Sequence, residues 1–432
     1  MKLPRLRLSR WVRFEAALAA LIVAFCDLHG QELRGRLSST FYGFERAPGY
    51  EATSQHIRYY QTLDLSATKI AGRNLSLHLY GLANTDLRGN TVDDPRFWLY
   101  SAYLRYDFPT GEVRLGRQRI FAGVGFGTLD GVFTRFGLLE KTELEAFAGL
   151  QMPLVHGVKL DSWNESHMLG GRLRSTGWQR TRLAVSFVQK SRARKVYLLP
   201  GEYTAHRWLL EKISALQQRR VGIDLWQQTG RAEWSGRLDY DLLLNRLQRA
   251  EGNIRTRFGK LEVGGDYIFR NPLVDGNSIF SVFSQKSSQE MAARLLYAFS
   301  REVGLFGRVA YLAFEEESSL RFAVGIRARG GTLGVAHQSG YGGDRWGLTG
   351  DYHWRLDRRL WLHVSSNYST YQEYGLDGEW EHTLAEILGL TWLPARGLRV
   401  DMELQGLQNR HVDVDVRALL RVTYGFRTRI AG

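Results

Sequence analysis

In several stretches of this chain, acidic and basic side chains fall an even number of positions apart: Arg237, Asp239 and Asp241; Arg321 and Arg327; Arg399, Asp401 and Glu403; Asp413, Asp415, Arg417 and Arg421. Carboxylates and guanidiniums set two apart can pair with one another or hold water and small ions against a shared surface. Catalysis asks for more. General acid–base chemistry needs a carboxyl group whose environment sets its proton affinity apart, and nucleophilic chemistry needs a base held against a Ser, Cys or Thr. Neither arrangement is recognisable here, nor is a glycine-rich phosphate loop or a cluster of metal ligands. His353 and His363 read as polar lining on neighbouring segments. Cys26 is the single cysteine, so the chain beyond it can hold no disulfide, thiolate metal site or cysteine-attached haem. The expectation is a protein that is not an enzyme and needs no cofactor.

A spacing of two is the period of a β-strand, whose successive side chains point to opposite faces. The residues between the charges are apolar. Val412, Val414, Val416, Ala418, Leu420, Val422, Tyr424 and Phe426 oppose the charged set of the last segment, and Leu398, Val400, Met402 and Leu404 oppose Arg399, Asp401, Glu403 and Gln405. Leu360, Leu362 and Val364 oppose Trp361, His363 and Ser365; Leu320, Phe322, Val324 and Ile326 oppose Arg321, Ala323, Gly325 and Arg327; Leu238, Tyr240, Leu242 and Leu244 oppose Arg237, Asp239, Asp241 and Asn245. One face suits lipid and the other water, in segments of about ten residues, which is the signature of a transmembrane barrel.

A soluble sandwich also alternates, but its connections are of similar length at both ends, whereas a membrane barrel has short turns at one end and longer loops at the other. Here Gly72–Asn74, Pro109–Gly111, Asp357–Arg359 and Pro394–Gly397 alternate with Pro153–Glu165, Ser191–Gln217 and Asn271–Gln289. Aromatic residues cluster at segment ends, among them Trp98, Tyr106, Phe108, Trp346, Trp354, Tyr424 and Phe426, as interfacial girdles require. The fold class is all-β, an antiparallel up-and-down transmembrane barrel of about 22 strands, or as few as about 16 if the weak segments near Phe121–Leu150 and Ala250–Phe258 carry none.

At the start, Lys2, Arg5, Arg7, Arg10 and Arg13 precede an apolar run from Ala16 to Cys26, the pattern of a secretory signal peptide over residues 1–30. That run is too short to span a bilayer as a helix, and no later stretch is continuously apolar for the roughly 20 residues a span needs. Phe25 stands where a lipoprotein cleavage site needs a small residue. Residues 31–432 then form one domain. The chain carries 58 basic and 44 acidic residues, and losing the five basic and two acidic residues of 1–30 changes the net charge from +14 to +11. The basic residues are scattered through the strands instead of forming one patch, which argues against nucleic acid as a partner.

Two features resemble known families. A last strand closing on Phe426 resembles the final-strand signal read by the barrel-assembly machinery, although Arg427 to Gly432 follow it. Leu115-Gly116-Arg117-Gln118, then Gly125-Phe126-Gly127 and Asp130-Gly131, resembles the strand and inward-loop element of outer-membrane porins and exporters, including alginate-export-type barrels. That resemblance implies an outer-membrane channel with Arg114, Arg117 and Arg119 as charges of a constriction.

A barrel of this size is too wide for its own side chains to fill. The first expectation is a channel for small polar or anionic solutes, because inward arginines lower the energy of an anion. The second, from a different class, is a sheath holding a multihaem c-type cytochrome. In Ser191–Gln217, Lys190, Arg192, Arg194 and Lys195 precede a stretch in which Trp208, Leu209, Ile213 and Leu216 recur near helical spacing, a helix expected to cap the mouth or lie on the rim.

Overall fold

A computed structural model describes residues 32–46, 54–70, 73–88, 97–152, 160–192, 216–272, 286–372, 378–410 and 412–429. The expected leader over 1–30 lies outside them, as does the expected helix up to residue 215. Twenty-two strands, from β1 (Glu32–Arg46) to β22 (Val412–Arg429), form one sheet in which each pairs antiparallel with the next. β22 returns to β1 in register from Glu32↔Arg429 to Gly43↔Ala418, so the sheet is closed and leaves no edge strand. Ala250–Phe258 falls within β12 (Arg246–Phe258), and Phe121–Leu150 falls on β5 (Gly111–Ala122), β6 (Gly125–Leu139) and β7 (Thr142–Gln151).

Connection length separates the two ends. Two residues join β4 (Phe97–Phe108) to β5, β10 (Leu216–Thr229) to β11 (Ala232–Asp241), β18 (Asp344–Asp357) to β19 (Leu360–Gln372), and β20 (Glu381–Ala395) to β21 (Leu398–Asn409). All of these lie at one end. The long connections, from β7 to β8 (Ser166–Ser175), from β9 (Thr181–Arg192) to β10 and from β13 (Leu261–Arg270) to β14 (Ser288–Ala298), lie at the other. The β9–β10 loop is shorter than the sequence implied, because Ser191 and Arg192 belong to β9 and Leu216 pairs with Arg192.

The outward row carries the apolar residues of the alternation. Leu320, Val324 and Ile326 on β16 (Ser318–Ala328), and Met402, Leu404, Val416 and Leu420 on β21 and β22, stand exposed on it, as a lipid-facing band demands. Tyr106, Trp354, Trp392 and Tyr424 are exposed near the short-turn end of this face, and Trp346 near the loop end. Phe426 lies on the same face at the short-turn end, stacked on Tyr424 with ring centroids 6.1 Å apart. It packs on the closing seam against the buried cluster of Leu33, Leu63, Leu65 and Ala67.

One stretch departs from the expected alternation. β11 stops at Asp241, and Leu242–Asn245 make a tight turn, with Asn245 at φ 49°. The Asp241 carboxylate accepts from the Leu243 and Leu244 amides at 2.9 and 3.1 Å. A carboxylate that can satisfy two turn amides ends a strand more readily than it continues one.

Candidate functional site

The feature that shapes the interior begins at Gly116. Its φ is +123°, and a Cβ there would lie 2.3 Å from the Ala102 carbonyl oxygen, so only glycine fits. Gly116 pairs with Gly131 on β6, which pairs with Gly149 on β7, forming a crease across three strands. Beyond the crease, β4 pairs with β5 no further than Ala102↔Arg117, and β6 pairs with β7 no further than Leu129↔Gln151. The tip of the β5–β6 hairpin is therefore free of its wall neighbours, and it folds into the barrel over the inner faces of β7 to β11.

Packing and hydrogen bonds dock it there. Ile120, Ala122, Val124 and Leu129 form a buried core with Phe133, Phe147, Met168 and Val188. The Val124 amide donates to Ser186 Oγ at 3.1 Å, Arg237 Nη2 donates to the Gly123 carbonyl at 3.2 Å, and Lys190 Nζ donates to the Phe126 carbonyl at 2.5 Å. At the tip Gly123 has φ +62°, and a Cβ there would meet Ser186 Oγ at 2.1 Å. Because the hairpin lies face-down on the wall, its other face turns to the lumen. Phe121 (71% exposed) and Phe126 (56%) stand on that face with Arg119.

The three arginines of this segment therefore part company. Arg117 is buried against Asp130, Nε to Oδ1 at 2.6 Å and Nη2 to Oδ2 at 2.7 Å, and its Nη1 donates to the Leu99 carbonyl at 3.1 Å. It braces the crease and offers no free charge to a solute. Arg114 lies on the wall below, in contact with Glu112 and 4.9 Å from the Phe133 ring. Of the three, Arg119 alone is exposed on the lumen face of the hairpin.

Beneath the hairpin runs a chain of alternating charge across five strands: Arg105, Glu112, Arg135, Glu145 and Arg172, with contacts of 2.8, 3.5, 2.9 and 2.9 Å. The wall continues with Arg237 between Asp239 (2.9 Å) and Asp224 (3.7 Å), and Arg294 against Asp266 (2.9 Å). A recess of about 560 Å³ opens here, lined among others by Phe121, Gly123, Arg182, Asp224 and Arg237. Arg182 lies over the Trp226 ring at 4.7 Å.

The other charges singled out from the sequence lie around the same inner face. Arg399 pairs with Asp401 at 2.8 Å and Arg417 with Asp415 at 2.6 Å, while Glu403 accepts from Gln405. Asp413 is exposed at the loop-end start of β22, and Arg421 donates to Thr40 at 3.3 Å. Arg321 and Arg327 make no ion pair among the described residues. Asp241 does not line the water path: it is 1% exposed, held by its turn, with Arg220 at 3.6 Å. Arg36, Thr62, Asp64, Arg399, Asp401 and Arg421 share a recess of about 660 Å³ on the wall opposite the hairpin. At the loop-end mouth Lys286 donates to Glu316 at 3.1 Å, and that hydrogen bond holds its ammonium above the ordinary lysine value.

The inward hairpin had a signal in the sequence. Up to Leu115 the outward apolar residues of β5 are odd-numbered, Val113 and Leu115; past Gly116 the apolar run moves to Ile120, Ala122 and Val124, with no slip in the β5–β6 register. A change of phase without a bulge means the strand has exchanged the face that needs covering.

The sequence matches no protein-family model and no curated protein. In structure the chain is similar to Acinetobacter baumannii OccAB4 (10% identity, TM-score 0.45, covering 93% of this chain and 100% of that one). It is similar to a BenF-like porin from Pseudomonas fluorescens Pf-5 (9%, 0.45, 92% and 99%) and to the translocation pore of the P pilus usher PapC (8%, 0.47, 91% and 99%).

Proposed function

We propose that the chain is an outer-membrane channel for small polar or anionic solutes, narrowed on one side by the β5–β6 hairpin. It is exported by the leader 1–30 and inserted by the barrel-assembly machinery. The observation that carries this reading is a closed barrel with an apolar outer face, whose inner side chains remain open to water on the wall that the hairpin leaves free. Arg399 (56% exposed) and His353 (59%) are exposed within that interior. A ring of 22 strands encloses more space than one docked hairpin fills.

Charge favours anions. Most inner-face acids are matched by an arginine, whereas Arg119, Arg182 and Lys190 near the hairpin make no close ion pair with a carboxylate among the described residues. Phe121 and Phe126 add apolar surface beside them, suited to an anion with a flat or hydrocarbon part. The hairpin takes up room that a lumenal cytochrome would need, which favours the channel over the sheath.

Uptake into liposomes containing the purified barrel tests the proposal. Small neutral sugars should enter, and a small monocarboxylate should enter faster than a cation of equal size. Liposomes no leakier than protein-free controls would overturn it.

A further inference from the structure

On the wall away from the hairpin, β18 and β19 pair so that His353 faces His363 directly, both on the inner face. Their rings stack with centroids 4.3 Å apart and planes 6° from parallel. Asp351 lies two residues earlier on the same face, with Oδ2 at 2.8 Å from His363 Nε2 and Oδ1 at 3.5 Å from His353 Nε2. One ligand atom from each of the three residues falls within 4.8 Å of the others.

We propose that Asp351, His353 and His363 form a binding site for a divalent transition-metal ion of the Zn²⁺, Cu²⁺ or Ni²⁺ class on the lumen wall.

Two imidazole nitrogens and a carboxylate oxygen suit these borderline ions and not Mg²⁺ or Ca²⁺, which want oxygen alone. An ion would sit about 2.0–2.2 Å from each atom, which the present spacing allows once the two stacked rings tilt so that both nitrogens point at one ion. It would take the place of the contact between His363 Nε2 and Asp351 Oδ2. Because both histidines come from facing positions of one rigid strand pair, little chain ordering opposes binding. Gly389 faces His363 from β20, and even a Cβ there would sit 3.6 Å from Nδ1, so nothing on that strand crowds the ring.

The nearest cation on the same face, Arg355, is turned aside over the Trp361 ring at 5.7 Å and donates to the Asp357 carbonyl at 3.3 Å. Arg327 opposes Thr332, which opposes Asp351, so it stands two strands away, roughly 10 Å. Three protein ligands leave the remaining positions to channel water, so the ion should exchange and a passing solute with a carboxylate could complete its shell.

The test is calorimetric titration of the tag-free, chelator-stripped barrel in detergent with Zn²⁺ alone, with Ni²⁺ as a second probe. About one saturable ion per barrel should bind. His363→Ala and His353→Ala should each weaken binding by about tenfold or more, and His382→Ala, distant from the cluster, should leave it unchanged. Heat-modifiability gels establish that each variant is folded, and His363→Gln, which keeps the side-chain volume, repeats the test if the alanine variant is not. No binding by the folded wild type, or equal binding by the folded double variant of His353 and His363, overturns the proposal. Since the readout is heat of binding, its failure is separate from any failure of solute uptake.

Discussion

The polarity of each residue in this barrel is set by which side of the wall it occupies, and the sharpest case is a neighbouring pair. Leu420 stands on the outer face opposite Phe41 in mid-strand, while Arg421 points inward to Thr40. Leu420→Arg should therefore cost about 2–4 kcal/mol of barrel stability, the expense of a guanidinium near the bilayer midplane, while Arg421→Leu should cost little. Refolding yields read by heat-modifiability on gels compare the two, and equal yields would show that the faces are wrongly assigned. Gly116 offers a second test at this scale. Gly116→Val forces a β-branched residue to positive φ and drives its Cβ into the Ala102 carbonyl, so a loss of at least about 1–3 kcal/mol is expected, seen as a lowered unfolding temperature. An unchanged temperature would mean that the crease is not where the hairpin turns.

At the scale of elements, the hairpin is an ordinary pair of strands whose outer half has been removed from the wall. Its docking rests on Val124, 3% exposed, which closes over Gly222 beside Asp224 and Asp239. Val124→Asp would place a third carboxylate beside Asp224 and Asp239, which already share Arg237, and should expel the hairpin. Single-channel recordings of this variant should show larger conductance than wild type with similar refolding yield. Equal conductance would mean that the hairpin does not narrow the path.

Much of the architecture was legible in the sequence, because period-two alternation with one apolar face is what a lipid-facing wall imposes on each strand. β16, β19, β21 and β22 read directly for that reason. The hairpin was harder, since its strands keep their pairing and change only which face is covered; the shift of apolar residues from odd to even numbers at Gly116 was the trace. Leu242 and Leu244 were misread because leucines in a tight turn happened to continue the rhythm after Asp241. His353 and His363 could be set on neighbouring segments from the sequence, but not brought together with Asp351 as one cluster. Two histidines ten residues apart become partners only when the turn between β18 and β19 fixes the register.

For the whole molecule, the excess of positive charge has to reside in the lumen, turns and loops, although many of the inner-face arginines are paired with acids. Anion preference should accordingly be modest and should shrink as salt screens the unmatched Arg119, Arg182 and Lys190. In a potassium chloride gradient the reversal potential should have the sign of chloride preference, and Arg119→Glu should reduce or invert it. A clear cation preference in the wild type would place the narrowest section among the acids instead.

The central claim, that the barrel is an open channel without any partner, is tested most directly by single-channel conductance of the purified, refolded chain in a planar bilayer. A persistent, nearly ohmic open state is expected from the protein alone, enlarged when Val124 is replaced by Asp. A folded, inserted barrel that carries no current would contradict it.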